Sequence, residues 1–345
     1  MKTTGIIISA MSVLFVCCSS EPSGPGVGPE CTLVWTSYRS GPPNIWTLEL
    51  PNGEPKQLTY FPEGCGRWGV ALSLDNWVYF GGKQNDIWQL FRMKRSGGAA
   101  IKLTDNAQYD GDPTVSPDGD RVCFLTKRWG YTYYDRELAS MPSSGGEVTR
   151  LTFWDGSDDS PVWSPAGDRI AFVRATSSGR FVVMTLDPDN PDSLETWTPT
   201  GDDCYEPRWS PGGDKIVCVL TENGIRDICS IDLPSGEIRN LTGTDWSDEK
   251  PSVSPDGKRI AHQVYRNGQW DIAITEMDGS GSFFLTDDPA EDISPCWSPE
   301  SDWVFWVSYR DGDREIYGTR ADGSEPAYRI TNSTGDDIRP RCWAR

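Results

Sequence analysis

The feature that most constrains this chain is a unit of roughly 45 residues copied along its length. The stretch SPVWSPAGDRIAFVR at 160–174 returns as EPRWSPGGDKIVCVL at 206–220 and as KPSVSPDGKRIAHQV at 250–264. A Leu-Thr-like pair ends each unit, and its threonines are Thr59, Thr104, Thr152, Thr198, Thr242, Thr286 and Thr331. A repeat of this length with four short strand signals per unit predicts the blade of a β-propeller.

The fourth unit shows which sequence segments predict the strands and the turn of one blade. SPVWS reads as the innermost strand, SPAGD as a turn, and RIAFVR, GRFVVMTLD and SLETWT as the second, third and outermost strands. Proline sets φ at the first turn position, and glycine accepts the positive φ at its end. No long segment has apolar residues at helical spacing. We therefore predict an all-β fold, a seven-bladed β-propeller of four-stranded antiparallel blades.

The two ends of the chain predict how the ring closes. The first unit begins at Cys31 without an innermost strand, and the chain ends with DDIRPRCWAR, an innermost strand with nothing after it. We expect the C-terminal strand to complete blade one, which leaves no strand edge exposed between the termini. In this register Cys342 lies across from Leu33 and close to Cys31.

The N-terminus predicts export. One lysine precedes an apolar core from Gly5 to Val16, which is too short to span a bilayer as a mature helix. The two cysteines and the Ser/Pro/Gly stretch that follow resemble a bacterial lipoprotein signal, with Cys18 as the lipidated residue. An ordinary secretory signal is the alternative. We expect a signal at 1–18, a flexible linker at 19–30 and the propeller at 31–345, held by lipid alone at the periplasmic face of the envelope or outer membrane.

Two cysteine pairs are candidates for disulfides, which an exported chain permits. The first is Cys31 with Cys342, at the predicted closure. The second is Cys218 with Cys229, which lie symmetrically about an Asn-Gly dipeptide that favours a two-residue hairpin turn. Connectivity cannot be read from sequence alone, and for the second pair two buried reduced thiols that fill the core are the alternative. No CxxC pair occurs, which argues against a structural zinc site.

The net charge of −19 limits the partners. Phosphate binding needs a basic face, so nucleic acid is excluded as a partner. A protein or peptide partner and a glycan both remain, and solubility through mutual repulsion is the simplest interpretation of the charge. We expect a monomer.

The repeated residues have a known counterpart. The pattern D-x-x-P-x-W-S-P-D-G-x-x-I-A-F, followed by R-x-G-x-x-D-I and L-T, resembles the TolB-type, WD40-like propeller repeat over residues 31–345. The resemblance implies the propeller fold and envelope-associated protein interactions, although this repeat serves many roles. Blade two departs most, because RWGVALSLDN lacks both prolines and has Arg67 where other blades carry an acid.

A recurring acid is the first candidate site. Five aspartates stand three residues before the innermost-strand proline, at Asp110, Asp158, Asp248, Asp292 and Asp337. We expect them to ring one mouth of the channel, with a basic residue after the second strand of most blades. They could bind a cation or a basic peptide, and calcium would suit a site built of carboxylates alone. Alternatively, each acid caps its strand and pairs with a neighbouring arginine.

Residues that break the repeat are the second candidate site. They lie in loops predicted for one face, and they are Arg67, Trp68, Trp129, Tyr131, Tyr133, Tyr134, Trp154 and Trp246. Tryptophan and tyrosine stack on sugars and anchor protein interfaces. The alternative is that each ring packs between blades.

Catalysis has little support in the sequence. The only histidine, His262, replaces a core aromatic of the sister blades, and no GxSxG elbow occurs. Propellers with a related repeat include peptidases with an appended catalytic domain and oligogalacturonate lyases whose metal site relies on several histidines. We expect no enzyme and no cofactor, with calcium as the alternative. The leading hypothesis is a propeller that binds a protein or peptide at one channel mouth; the second is a carbohydrate-binding or lyase-like propeller using its aromatic loops.

Overall fold

The computed structural model describes residues 28–130, 135–198 and 203–344. These residues form seven four-stranded antiparallel sheets, so the predicted all-β, seven-bladed propeller is confirmed. The innermost strands contact one another in sequential order around the ring. Within the described ranges, no helix is long and apolar enough to cross a bilayer.

Every blade, from one to seven, is built from an innermost, a second, a third and an outermost strand. The innermost strands are β28 (Asp337–Ala344), β4 (Cys65–Leu72), β8 (Asp110–Val115), β12 (Asp158–Trp163), β16 (Asp203–Trp209), β20 (Ser247–Val253) and β24 (Asp292–Trp297). The second strands are β1 (Cys31–Ser37), β5 (Trp77–Gln84), β9 (Arg121–Thr126), β13 (Ile170–Ala175), β17 (Lys215–Glu222), β21 (Arg259–Arg266) and β25 (Trp303–Asp311). The third strands are β2 (Asn44–Glu49), β6 (Ile87–Lys94), β10 (Glu137–Pro142), β14 (Phe181–Asp187), β18 (Ile225–Asp232), β22 (Gln269–Glu276) and β26 (Asp313–Arg320). The outermost strands are β3 (Lys56–Gln57), β7 (Ile101–Lys102), β11 (Thr149–Arg150), β15 (Asn190–Thr196), β19 (Ile238–Asn240), β23 (Ser282–Phe284) and β27 (Tyr328–Arg329).

The repeated threonine has a structural role. In all seven blades its hydroxyl accepts a hydrogen bond from a backbone N–H of the third strand, for example from Leu138 to Thr152 at 2.9 Å and from Ile316 to Thr331 at 2.9 Å. The bond satisfies a donor that would otherwise be buried without a partner. This is why the Leu-Thr pair marks the end of each unit.

The repeated tryptophan of the innermost strand joins neighbouring blades. Trp163 donates its indole N–H to the carbonyl of Thr114 in the preceding blade at 3.3 Å. Trp209 does the same to Val162 at 3.1 Å, and Trp297 to Ser252 at 2.8 Å. A buried indole needs a hydrogen-bond partner for its N–H, and here that partner belongs to the preceding blade. These rings therefore pack between neighbouring blades.

The C-terminal strand completes blade one. Strand β28 pairs antiparallel with β1, and Cys342 lies opposite Leu33, which confirms the predicted register. The Sγ atoms of Cys31 and Cys342 are 3.5 Å apart, and both residues are thiols. The disulfide between them stays a prediction.

The second cysteine pair also has the predicted register. Cys218 and Cys229 face each other directly across β17 and β18, and both are buried thiols. Burial raises the pKa of Cys229 to about 12 and also raises that of Cys218 well above its usual range. Cys204 belongs to the same apolar cluster, so these sulfurs fill the core between blades four and five. A disulfide between Cys218 and Cys229 stays a prediction.

Each innermost strand is interrupted by a β-bulge. In blade four the ladder pairs Asp159 with Val173 and then Val162 with Ala171, so Ser160 and Pro161 together oppose one residue. In blade two the shift is longer, because residues 66–69 oppose Gly81, and Gly69 is taken there as the residue equivalent to the first bulge residue of the other six blades. This residue has a positive φ in every blade, between 50° and 58° at the six positions where it is not glycine and 105° at Gly69. A bulge bends its strand and re-aims a side chain. The six prolines that follow are tolerated because the innermost strand is a sheet edge.

Closure of the ring can be tested at Trp343, which is 6% exposed in the core between blades one and two. We expect Trp343→Ala to lower the free energy of unfolding by about 3–5 kcal/mol, because it leaves a cavity at the seam. Tyr60→Ala is the matched control, since that ring is 76% exposed. Urea denaturation followed by circular dichroism measures both, and equal stability of the two variants would contradict the seam described above.

Candidate functional site

The bulges build the wall of the central channel. The channel encloses about 860 Å³, and all seven first bulge residues line it. We call them the bulge ring, and they are Gly69, Asp112, Ser160, Glu206, Lys250, Ser294 and Arg339. The backbone is the same at each position, whereas the side chains differ in size and charge. The bulge ring therefore lacks the symmetry of the fold around it.

A second ring lies two residues further along each innermost strand. Its members also line the channel, and they are Ala71, Thr114, Val162, Arg208, Ser252, Cys296 and Arg341. A strand rises about 3.3 Å per residue, which places this second ring roughly 6–7 Å below the bulge ring. Together the two rings decide the chemistry of the channel.

The channel is basic in an acidic protein. Six basic and three acidic side chains line it, whereas the whole chain carries a formal charge of −19. The basic residues are Arg136, Arg208, Lys250, Arg314, Arg339 and Arg341, and the acids are Asp112, Asp159 and Glu206. The field inside the channel therefore differs in sign from that of the molecule as a whole.

Three of the six basic residues pair with carboxylates. Lys250 forms an ion pair with Glu206 of the neighbouring blade, and its backbone N–H donates to the same carboxylate at 2.9 Å. Arg136 pairs with Asp159 at 2.6 Å. Arg314 lies 3.6 Å from Asp336. The charges of these residues are thus compensated within the protein.

The other three, Arg208, Arg339 and Arg341, have no carboxylate within 4 Å among the described residues. Each donates to a backbone carbonyl: Arg208 to Pro207 at 2.8 Å, Arg341 to Pro340 at 3.2 Å and Arg339 to Trp68 at 3.5 Å. Burial lowers the pKa of Arg208, and burial followed by repulsion from Arg341 lowers that of Arg339. The channel therefore holds three arginines that form no close ion pair with the described residues, although Asp112 and Glu206 attract them from a longer distance.

The wall formed by blade three carries an acid with an unusual titration. Asp112 accepts a hydrogen bond from the hydroxyl of Tyr109 at 3.0 Å. Burial, and then repulsion from Asp159, raise the pKa of Asp112 to about 6. Its charge thus changes close to neutral pH, inside the channel.

An aromatic group borders the channel beside the bulge of blade two. Trp68 is 37% exposed and lines the cavity. The edges of Trp88 and Tyr109 contact it, with ring centroids 4.5 and 5.6 Å away. Arg67 is exposed and lies 5.6 Å from the ring of Trp68. Of the repeat-breaking residues, Arg67 and Trp68 are thus brought together at the channel.

Trp129, Trp154 and Trp246 do not line the channel. Trp129 is half-buried against the core of blades two and three, and Trp154 donates its N–H to the carbonyl of Ala175 at 2.9 Å. Trp246 is 40% exposed, 5.8 Å from Phe284 on blade six. Tyr131, Tyr133 and Tyr134 lie outside the described residues. Binding roles for these side chains stay predictions.

The predicted position of the aspartate ring needs correction. Asp110, Asp158, Asp248, Asp292 and Asp337 do lie at the starts of innermost strands, but their side chains are at most 2% exposed and none lines the channel. The physical reason is that they turn into the sheet and meet an arginine after the second strand. Arg174, for example, donates two hydrogen bonds to Asp158 at 2.7 and 2.9 Å.

Blades one, three and seven have the same kind of pair, Arg39–Asp337, Arg128–Asp110 and Arg310–Asp292. Of these, the Arg128–Asp110 pair is bidentate like that of blade four, and a bidentate pair fixes geometry strongly. Among the described residues, no group of three or more histidine, cysteine, aspartate or glutamate side chains is arranged to hold a metal ion.

Blade six departs from this pattern through its histidine. The Nδ1 of His262 lies 3.2 Å from Asp248, and its Nε2 lies 2.9 Å from the hydroxyl of Thr275. Arg266 pairs instead with Asp271 at 2.9 Å and Asp287 at 2.7 Å. His262 is 2% exposed, so it lies in the blade core as predicted for a residue that replaces an aromatic.

The arginines of the channel were missed in the sequence analysis, although the repeat contains a signal for them. The residues on either side of the innermost-strand proline change from blade to blade, while the proline is kept in six of the seven blades. In blade five they are Glu206 and Arg208, and in blade one Arg339 and Arg341. Which way these side chains point depends on the bulge, and the repeat pattern alone does not reveal the bulge.

The titration of Asp112 predicts a dependence of stability on pH. Between about pH 4 and 6 the folded state keeps a proton that the unfolded chain has lost, so stability falls as the pH rises through this window. We expect Asp112→Asn to raise the free energy of unfolding by on the order of 1–2 kcal/mol at about pH 7.5 and to leave it unchanged at about pH 4. Urea denaturation at the two pH values measures this.

Asp118→Asn is the control for this experiment. Hydrogen bonds from Ser116 and the backbone of Asp120 lower the pKa of Asp118, so its replacement should reduce stability at neutral pH. A gain at about pH 7.5 in both variants, or in neither, would contradict the assignment for Asp112.

Comparison with known proteins places the chain in a family. The TolB beta propeller domain matches residues 25–203 and 206–345. An uncharacterized protein of Agrobacterium fabrum, Atu1656, is 32% identical over 101 residues, which are 29% of this chain and 31% of that protein. The chain thus spans about a third of the length of that curated relative.

Three solved structures share the fold. An oligogalacturonate lyase in complex with manganese has a TM-score of 0.70 at 17% identity, covering 85% of this chain and 87% of the lyase. TolB from Acinetobacter baumannii has 0.58 at 16%, covering 87% and 78%. A Mycobacterium tuberculosis puromycin-hydrolyzing peptidase has 0.71 at 14%, covering 89% and 52%. At these identities the likeness concerns the fold alone. The family match covers nearly all the described residues, and the chain therefore belongs to the TolB β-propeller domain family.

Proposed function

We propose that this protein is a non-enzymatic binding module that receives a peptide segment of a protein partner at the Trp68 side of its central channel. The observation that carries the proposal is the bulge ring. Seven equivalent backbone positions line one cavity, and their side chains differ in size and charge from blade to blade, while the rest of each blade is repeated. Residues with positive φ outside glycine are strained and concentrate at functional sites.

The cavity itself favours a peptide segment as its ligand. It has a volume of about 860 Å³ and is lined by both charged and apolar groups. Trp68 offers a partly exposed ring beside it, of the type that anchors protein interfaces. Because the surrounding sheets are rigid, changes at the two rings alter the ligand without disturbing the core.

A second candidate is a propeller that binds or cleaves carbohydrate. The likeness in fold to an oligogalacturonate lyase is the observation that favours it. Against it, the single histidine of the chain is buried, lies 3.2 Å from Asp248 and is hydrogen-bonded to Thr275, where it is not available to a substrate or a metal in the channel. The faces that sugars would need are also few, since the ring of Trp68 is contacted by Trp88 and Tyr109.

We also propose that the protein is exported and held at the envelope through Cys18. The apolar segment and the two cysteines of the N-terminus support this, and they lie outside the described residues. Membrane association would then come from the lipid, and the channel would face the periplasm.

Selection from a random-peptide display library on the full-length protein tests the proposed function. We expect enriched peptides to bind in solution and to lose about tenfold or more in affinity to Trp68→Ala, as for a tryptophan anchor at an interface. Trp246→Ala is the matched control, because that residue is similarly exposed but does not line the channel. Fluorescence anisotropy measures all affinities.

Two outcomes would contradict the proposal. One is the absence of any enriched peptide. The other is a set of peptides that bind Trp68→Ala normally and fail on Trp246→Ala. A turnover assay on oligogalacturonate with and without manganese covers the second candidate, and metal-dependent product would overturn the non-enzymatic assignment.

A further inference from the structure

We propose that the peptide received by the channel carries an acidic side chain, and that Arg208, Arg339 and Arg341 bind its carboxylate. This inference rests on the proposed function and names the chemistry of its ligand. The three arginines supply positive charge in the channel, and none of them forms an ion pair within 4 Å among the described residues. Guanidinium groups are planar donors that match a carboxylate with two parallel hydrogen bonds.

The three side chains approach the channel from different directions. Arg208 belongs to blade five, and Arg341 belongs to blade one, which lies on the far side of the seven-membered ring. Both are members of the second ring, and Arg339 is one level above them in the bulge ring. An anion in the channel between these levels would thus meet guanidinium groups from two sides.

The energetics favour an anion at this position. Burial lowers the pKa of Arg208, the charge of Glu206 raises it, and the charge of Arg341 lowers it, so the two guanidinium groups repel one another and Glu206 offsets part of this repulsion. Their hydrogen-bond acceptors within the protein are backbone carbonyls, which carry no formal charge. A bound carboxylate would relieve the remaining repulsion.

Overall charge adds to the specificity of the site. A protein with a formal charge of −19 repels acidic partners over most of its surface. An acidic peptide would therefore gain little from contacts outside the channel, and binding would depend on Arg208, Arg339 and Arg341.

The acids of the channel favour a peptide over a polyanionic glycan. Asp112, Asp159 and Glu206 line the same cavity as the arginines. A chain with a carboxylate on every unit would place some of its charges against these acids. A peptide can present one carboxylate to the arginines. Its neutral backbone amides can donate hydrogen bonds to the acids of the channel.

The test uses peptides enriched by the full-length protein from a random display library. We expect the enriched sequences to contain more aspartate and glutamate than the library. Resynthesised with amidated C-termini, they should lose about tenfold or more in affinity when each Asp and Glu is replaced by Asn and Gln. A version of each peptide that has Asn and Gln but a free C-terminal carboxylate tests whether the arginines bind a C-terminal carboxylate as well as a side-chain carboxylate.

Variants of the protein complete the test. Arg208→Gln and Arg341→Gln should each weaken binding of the acidic peptides about tenfold or more, while thermal unfolding confirms that both variants are folded. Arg169→Gln is the matched control, because that residue is exposed at the outside of blade four and pairs with Glu195 at 2.8 Å. It should leave binding unchanged.

The outcomes separate this inference from the proposed function. If peptides bind through Trp68 but tolerate both the amide replacements and the arginine variants, the inference is overturned and the binding function stands. If no peptide binds at all, the proposed function fails with it. If oligogalacturonate binds in a manner that depends on Arg208 and no acidic peptide does, the ligand is a glycan and the inference is again overturned.

Discussion

The pairing of β1 with β28 is the interaction on which the rest of the structure depends. It joins residues from the two ends of the described chain in one sheet, with Leu33 opposite Cys342. Without it, blade one would lack its innermost strand, and its neighbours would lose the surface on which they pack. The closed ring fixes the distance across the channel, so side chains from separate blades can act on one ligand.

The charges of the molecule fall into two groups with different roles. Buried aspartates at the strand starts are matched by arginines, as in the bidentate pair of Asp158 and Arg174, because an unpaired buried charge is costly. The arginines of the channel lack such partners among the described residues. The buried aspartate–arginine pairs recur around the ring, which indicates that they stabilise the fold. The channel arginines without such partners occur in only two blades, and this asymmetry favours a role in binding a ligand.

Much of this architecture could be predicted because it is repeated. The threonine bond to the third strand and the tryptophan bond to the preceding blade recur with the period of the sequence, and each satisfies a buried backbone group. The candidate site was harder to predict. Of the residues chosen because they break the repeat, Trp68 lines the channel, whereas Trp129 and Trp154 are half-buried against blade cores and loops.

The sequence by itself determined the number of blades, the strand order within them and the way the ring closes, because strand period, turn residues and the half-unit at each end leave one consistent arrangement. Only the tertiary structure decided which side chains face the channel. Alternation along a strand would send them to the neighbouring blades, but the bulge before the proline turns Ser160 and its six equivalents inward. That turn is a property of paired backbones, and it is what exposes Arg208, Arg339 and Arg341 to a ligand.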